Sequence, residues 1–226
     1  MIKTDGDFQQ LMRGRVVYIV PLINPDGAAF DISRGWYKFW RKNLRKNRGG
    51  SYGVDLNRNY GFQWGRRASN KPWSDVYRGP KPFSEPENIS VKSFVEKHQN
   101  IKTMISFHTF SELTLYPWGH KKSGIKIKKD KKVFEKMAIK MSQWNNYKPI
   151  QASSLYVASG DTCDWAYGKH GIFCFTFELS PSQKVKKPRD GFYPGARIIN
   201  EVFKDNIEPT LYLLENTANP YQTIKN

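Results

Sequence analysis

The sequence predicts an α/β fold, a mostly parallel mixed sheet flanked by helices, and three observations carry that expectation. Three apolar runs, 16–23 (VVYIVPLI), 101–107 (IKTMISF) and 172–179 (IFCFTFEL), have the length and the β-branched and aromatic content of strands buried on both faces. Segments of helical period lie between and after them. Buried strands alternating with helices imply parallel neighbours joined by crossovers, with ligands bound beyond the strands' C-terminal ends.

Taken in order, the run at 16–23 ends on Asn24-Pro25-Asp26-Gly27, a turn signal. Residues 31–83 are polar, rich in Gly and Arg, and weakly periodic, and a long irregular stretch of this kind is functional or disordered. Trp36, Tyr37, Phe39, Trp40, Trp64 and Trp73 speak against disorder. Ser84-Glu85-Pro86-Glu87 reads as a capping box that opens a helix to about His98, with Ile89, Val91, Phe94 and Val95 facing inward. A short strand is expected at 112–117 and a helix at 131–146 with Val133, Phe134, Met137, Ala138, Ile139 and Met141 on its buried side. A last helix is expected over 195–217.

Composition excludes several classes. At 226 residues with 38% hydrophobic and 15% aromatic content, the chain is neither disordered nor fibrous, and no apolar run is long enough to span a membrane. The net charge is +17, with seven lysines in 121–132 and five basic residues in 41–48. No nucleic-acid-binding signature accompanies this charge, so the expectation is a solvated basic surface with a few substrate-binding arginines, open to an acidic partner or surface and not to a specific nucleic acid. Two cysteines, Cys163 and Cys174, either pair in an oxidising compartment or remain free thiols.

A few side chains stand where chemistry is expensive to leave unused. His108 follows an apolar strand, where an imidazole serves as ligand, base or satisfied core residue. Glu178 lies in an otherwise apolar strand, so it is either paired with an arginine or raised in pKa towards the range of a general base. Arg41 sits in WRKN, and Asn57 and Arg58 in DLNRNYGFQWG. An amide beside a guanidinium makes a carboxylate clamp, whereas solvation is the plain alternative for a surface arginine. Tyr156, Asp161, Cys163 and Asp164 fall in YVASGDTCDWAYG, a loop entering a helix that Asp161 or Asp164 is placed to cap.

Eight segments in order resemble the M14 zinc metallocarboxypeptidases: NPDG, WRKN, GVDLNRNYGFQWG, YRGPKPFSEPE, SFHTFSELTLYPWG, YVASGDTCDWAYG, FTFEL and GFYP. The resemblance implies a zinc-dependent exopeptidase that hydrolyses the C-terminal bond of peptides and proteins and is secreted or periplasmic. By position, His108 matches a zinc ligand, Glu178 the general base, and Arg41 the arginine that polarises the scissile carbonyl. Asn57 and Arg58 match the pair that grips the C-terminal carboxylate, Tyr156 the tyrosine that closes over it, and Cys163 the base of the specificity pocket. Asp161, two residues earlier, is expected to offer a carboxylate to basic side chains, while the pocket favours apolar and aromatic ones.

The family's other two zinc ligands come from an H-x-x-E motif that this sequence lacks, since its four histidines are followed three places on by Ile101, Ser111, Ser123 and Phe173. The expectation is therefore one catalytic domain over 1–226, incomplete at its N-terminus, without the family's first strands and helix and without two of three zinc ligands. Phe110 stands where a tyrosine often follows the zinc histidine. The alternative is a non-catalytic pseudoenzyme or binding module that recognises C-terminal carboxylates. A cell-wall peptide or amide hydrolase is a further rival.

Overall fold

The structure, a computed structural model, describes residues 4–225. Its helices are α1 (Asp5–Met12), α2 (Pro25–Asp31), α3 (Pro86–Lys97), α4 (Lys128–Asn145), α5 (Thr162–His170), α6 (Pro188–Phe192) and α7 (Ile199–Glu215). Its strands are β1 (Thr103–Ser111), β2 (Leu113–Tyr116), β3 (Lys148–Gln151) and β4 (Phe173–Ser182), in the sheet order β1-β4-β2-β3. β1 runs parallel to β4 and β2 parallel to β3, while β2 and β4 are antiparallel. The sheet is mixed, as the sequence predicts.

β4 is central because its apolar run serves both faces. Phe173, Phe175 and Phe177 pack into one cluster with Val133, Phe134, Met137 and Met141 of α4 and Leu213 of α7. Cys174, one residue out of phase, packs on the other face with Trp165, Tyr60 and Val95. α4 buries Val133, Phe134, Met137, Ala138 and Met141 completely, at helical spacing. It starts three residues before its expected position and turns Ile139, 54% exposed, to solvent.

Several expectations fail. Residues 16–23 take no regular secondary structure, with Val16, Ile19 and Val20 63%, 81% and 58% exposed. A strand needs a neighbour to take up its ladder hydrogen bonds, and none of the described residues supplies one here. Asn24-Pro25-Asp26-Gly27 then starts α2, Asn24 Oδ1 accepting from the Gly27 amide at 3.0 Å, so it is a helix cap and lies at no strand end. The capping box at Ser84–Glu87 does not form: Glu85 is the N-cap without a side-chain cap bond, because its carboxylate accepts from Asn43 and Arg45 instead. Ile89, expected inside, is 46% exposed, and the last helix is shorter than expected.

Candidate active site

The site begins with strand register. His108 of β1 lies directly opposite Glu178 of β4, and alternation puts both on the sheet face that carries Cys174 and Thr176. His108 is thus paired inside a strand and does not terminate it. Burial, together with the positive charges of Arg41 and Arg58, pushes its pKa down to about 4, so at neutral pH the imidazole is uncharged and keeps a lone pair. Its Nε2 lies 3.0 Å from Ser106 Oγ. Glu178 moves the other way: burial raises its pKa to about 7, against the pull of Arg41 and Arg58. The same two guanidinium groups act on both side chains, which brings Arg41, Arg58, His108 and Glu178 to one place.

Arg41 is held by Asp55, its Nε and Nη2 lying 3.0 and 2.8 Å from Asp55 Oδ2. Asp55 Oδ1 accepts from the Asn57 amide at 3.0 Å and caps the single turn 56–58. One buried carboxylate therefore fixes both the WRKN arginine and the Asn57-Arg58 pair. Sequence reading missed Asp55; a carboxylate two residues before an Asn-Arg pair in a basic segment was the available signal. Arg58 is 3% exposed; its Nη1 donates to its neighbour's carbonyl, Asn57 O, at 2.5 Å and its Nη2 to Tyr156 Oη at 3.3 Å. Asn57 Oδ1 accepts from Thr162 N and Oγ1, which ties this turn to the start of α5. Tyr156 is 52% exposed on the loop before α5, with its ring over the Arg58 guanidinium.

α5 brings the remaining expected residues. Asp161 caps it, Oδ1 accepting from the Asp164 amide at 2.8 Å, while its Oδ2 is buried without a hydrogen-bond partner. Burial and the neighbouring Asp164 push its pKa up to about 8, with Arg58 pulling the other way. Asp164 makes no cap; it accepts from the Gly119 and His120 amides and from His120 Nδ1, anchoring the turn after β2. Cys163 is disulfide-bonded to Cys174, so the thiol that sequence reading considered for the pocket is a disulfide sulfur linking α5 to β4. Thr176 Oγ1 lies 3.4 Å from Cys163 Sγ, on the Glu178 side of the strand.

Among the described residues no group of three or more His, Cys, Asp or Glu side chains is arranged to hold a metal. A catalytic zinc takes three protein ligands; His108 offers one, so these residues do not by themselves make up such a site.

The family model for zinc carboxypeptidases, the M14 peptidases, matches residues 1–209. A human carboxypeptidase A5 is 38% identical over 225 residues, covering 96% of this chain and 50% of that protein. A zinc carboxypeptidase of Saccharothrix mutabilis subsp. capreolus is 34% identical over 210 residues, covering 87% and 46%. The crystal structure of thrombin-activatable fibrinolysis inhibitor superposes with a TM-score of 0.82 at 26% identity, over 92% of this chain and 53% of that one. The bovine form of that protein, bound to a tick carboxypeptidase inhibitor, gives 0.79 at 27% identity, over 89% and 69%. The chain spans about half the length of the curated relatives it matches. With the family model matching most of its length, the chain belongs to the zinc carboxypeptidases of the M14 peptidase family.

Proposed function

We propose that this chain carries the substrate-gripping and proton-transfer part of an exopeptidase site that removes the C-terminal residue of peptides and proteins. The observation that carries this reading is the register pair His108–Glu178 under the charges of Arg41 and Arg58. Arg58, nearly buried and next to Asn57, grips the free carboxylate by charge-assisted hydrogen bonds, and Tyr156 exchanges its bond to Arg58 for one to the substrate. Glu178, with a pKa near 7, takes the proton of the attacking water and returns it to the leaving amine. Arg41, aimed by Asp55, donates to the oxygen on which negative charge develops. By the family match His108 would supply one ligand to a zinc ion whose other ligands these residues do not supply, and such an ion would polarise a carbonyl and acidify water.

The pocket reading follows from α5. The Cys163–Cys174 sulfurs and Thr176 make a weakly polar wall that favours apolar and aromatic C-terminal residues. The unpartnered Asp161 Oδ2 gives a slower second preference for Lys and Arg, whose ammonium or guanidinium returns it to the charged form. The disulfide supports a secreted or periplasmic location, and among the described residues no helix is long and apolar enough to cross a membrane.

A second reading starts from the missing H-x-x-E motif in this sequence: a module that binds C-terminal carboxylates without hydrolysis. N-blocked dipeptides ending in Phe, Leu, Lys and Arg separate the two when binding is measured by calorimetry and cleavage by release of the free amino acid, with zinc supplied. Cleavage abolished by Glu178→Gln with binding kept supports the peptidase. Binding without cleavage in the parent chain assigns it to the module, and neither binding nor cleavage sinks both.

A further inference from the structure

The order of residues along β4 sets the direction in which a bound peptide leaves the site. Cys174, bonded to Cys163 of α5, and Thr176, beside Cys163 Sγ, come before Glu178, and the loop 183–187 comes after it. Under the proposed function the last residue of a peptide lies on the α5 side, at Asn57, Arg58 and Cys163. The residues before the cleaved bond then continue past Glu178 towards the loop. Both ends of that loop are fixed at the exit of the sheet. Gln183 Nε2 donates to Ser111 Oγ at 3.3 Å, three residues on from His108 in β1. At the other end Gly191 lies so close to the Phe110 ring that a Cβ would not fit. Phe192 packs edge-on against Phe110 at 5.0 Å and against Phe39 at 6.4 Å, two residues before Arg41.

The loop is cationic. Residues 179–189 hold Lys184, Lys186, Lys187 and Arg189 and no acid, and all four cations are exposed. Arg189 Nε lies 3.9 Å from Asp190. Among the described residues no carboxylate forms an ion pair with Lys184, Lys186 or Lys187, Glu112 beside Ser111 included. At about 3.3 Å per strand residue, Ser182 lies about 13 Å beyond Glu178. An extended peptide advances by a similar amount per residue, so the third and fourth residues before the cleaved bond come level with the start of the loop.

We infer that Lys184, Lys186 and Lys187 form a rim that selects peptides carrying acidic residues at the third and fourth positions before the cleaved bond. The inference rests on the proposed function, which places the peptide's last residue at Arg58. An ammonium meets a carboxylate as a point charge without demanding planar geometry, so the rim reads charge and does not separate Asp from Glu. The pairs form in the open, so the preference is graded and weakens as salt rises.

The test uses the 226-residue chain and acetylated hexapeptides ending in Phe, with Kd measured by calorimetry at low and high salt. One peptide carries glutamate at the third and fourth positions before its last bond, a second carries glutamine there, and a third is the C-terminal amide of the second. The parent is expected to bind the glutamate peptide about three- to tenfold more tightly than the glutamine peptide. Lys184→Gln, Lys186→Gln, Lys187→Gln is expected to bring that ratio to about one. Lys126→Gln, Lys128→Gln, Lys132→Gln removes the same charge beside α4, which packs on the phenylalanine face of β4 away from Glu178, and is expected to keep the ratio within about twofold of the parent's. Unchanged melting temperatures in both variants show that folding is intact. A parent that prefers the acid to the amide but treats glutamate and glutamine alike overturns the rim and leaves the carboxylate grip standing. A ratio that survives the loop variant, or that falls equally in both variants, also overturns the rim. A parent that does not separate acid from amide sinks the grip of Arg58 and the rim with it.

Discussion

At the scale of single residues, the site is organised by buried charges that stand in unequal company. Arg58 donates to the Asn57 carbonyl and to the Tyr156 hydroxyl, and among the described residues no carboxylate accepts a hydrogen bond from it, so under the proposed function its guanidinium receives the substrate carboxylate. Replacing it with alanine is expected to weaken binding of a peptide carboxylate by about 2–4 kcal/mol, roughly thirtyfold to a thousandfold, while a C-terminally amidated peptide is bound equally poorly by both proteins. Calorimetry on the matched acid and amide reads this directly. Asp161 gives a pH signature. Its folded pKa, about 8, stands above its ordinary value, so between those limits the folded chain keeps a proton that the unfolded chain has released. Stability from this group is therefore full at acid pH and is lost progressively as pH rises towards 8. Asp161→Asn is expected to remove that fall, measured as denaturant midpoints between pH 4 and 8; an unchanged slope would show the carboxyl to be ordinary. The same change is expected to lower kcat/KM for Lys- and Arg-ending substrates more than for Phe.

At the scale of elements, α5 is the piece that the site depends on most. It is tied to the turn at 56–58 by Asn57, to the turn after β2 by Asp164 and to β4 by the Cys163–Cys174 disulfide. The disulfide spans a sequence separation of 11 residues, a short loop, so its removal is expected to cost about 2–3 kcal/mol. Urea unfolding of the Cys163→Ser, Cys174→Ser variant checks this. A midpoint equal to that of the oxidised parent would mean that Trp165, Ala166 and Phe173 hold α5 on the sheet unaided. On the opposite face, Met137 of α4 is fully buried, and Met137→Ala is expected to cost about 2–5 kcal/mol without changing the affinity for peptide carboxylates.

At the scale of the molecule, two surfaces oppose each other. The irregular segment 16–22 and Phe107, 51% exposed on the edge strand β1, present apolar area, and among the described residues the outer edge of β1 pairs with no strand. The net charge of +17 keeps copies apart. Added salt screens the repulsion while leaving apolar attraction in place, so self-association is expected to increase between about 0.05 and 0.5 M salt, where the Debye length shrinks to about a third. Light scattering coupled to size exclusion checks this; a monomer at every salt concentration would show that the exposed segment folds away in solution.

The sequence by itself determined whatever depends on periodicity and on local order along the chain. The apolar phase of 128–145, the twin-faced run of β4 and the order of the eight motifs were all legible, because each is written in residues close together. So was the company of Glu178 and His108, through motif resemblance, although not their strand register. Tertiary structure alone decided what depends on a distant partner. Residues 16–23 have strand composition and, among the described residues, no strand to pair with, and Glu85 has a capping position but spends its carboxylate on Asn43 and Arg45. Asp55 looks like an ordinary surface acid until the fold sets Arg41 beside it, and Asp164 looks like a helix cap until the fold sets the Gly119-His120 amides beside it. Cys163 and Cys174 become a disulfide only because β4 lies against α5. A buried hydrogen bond or ion pair takes its energy from both partners, and a linear pattern names only one of them.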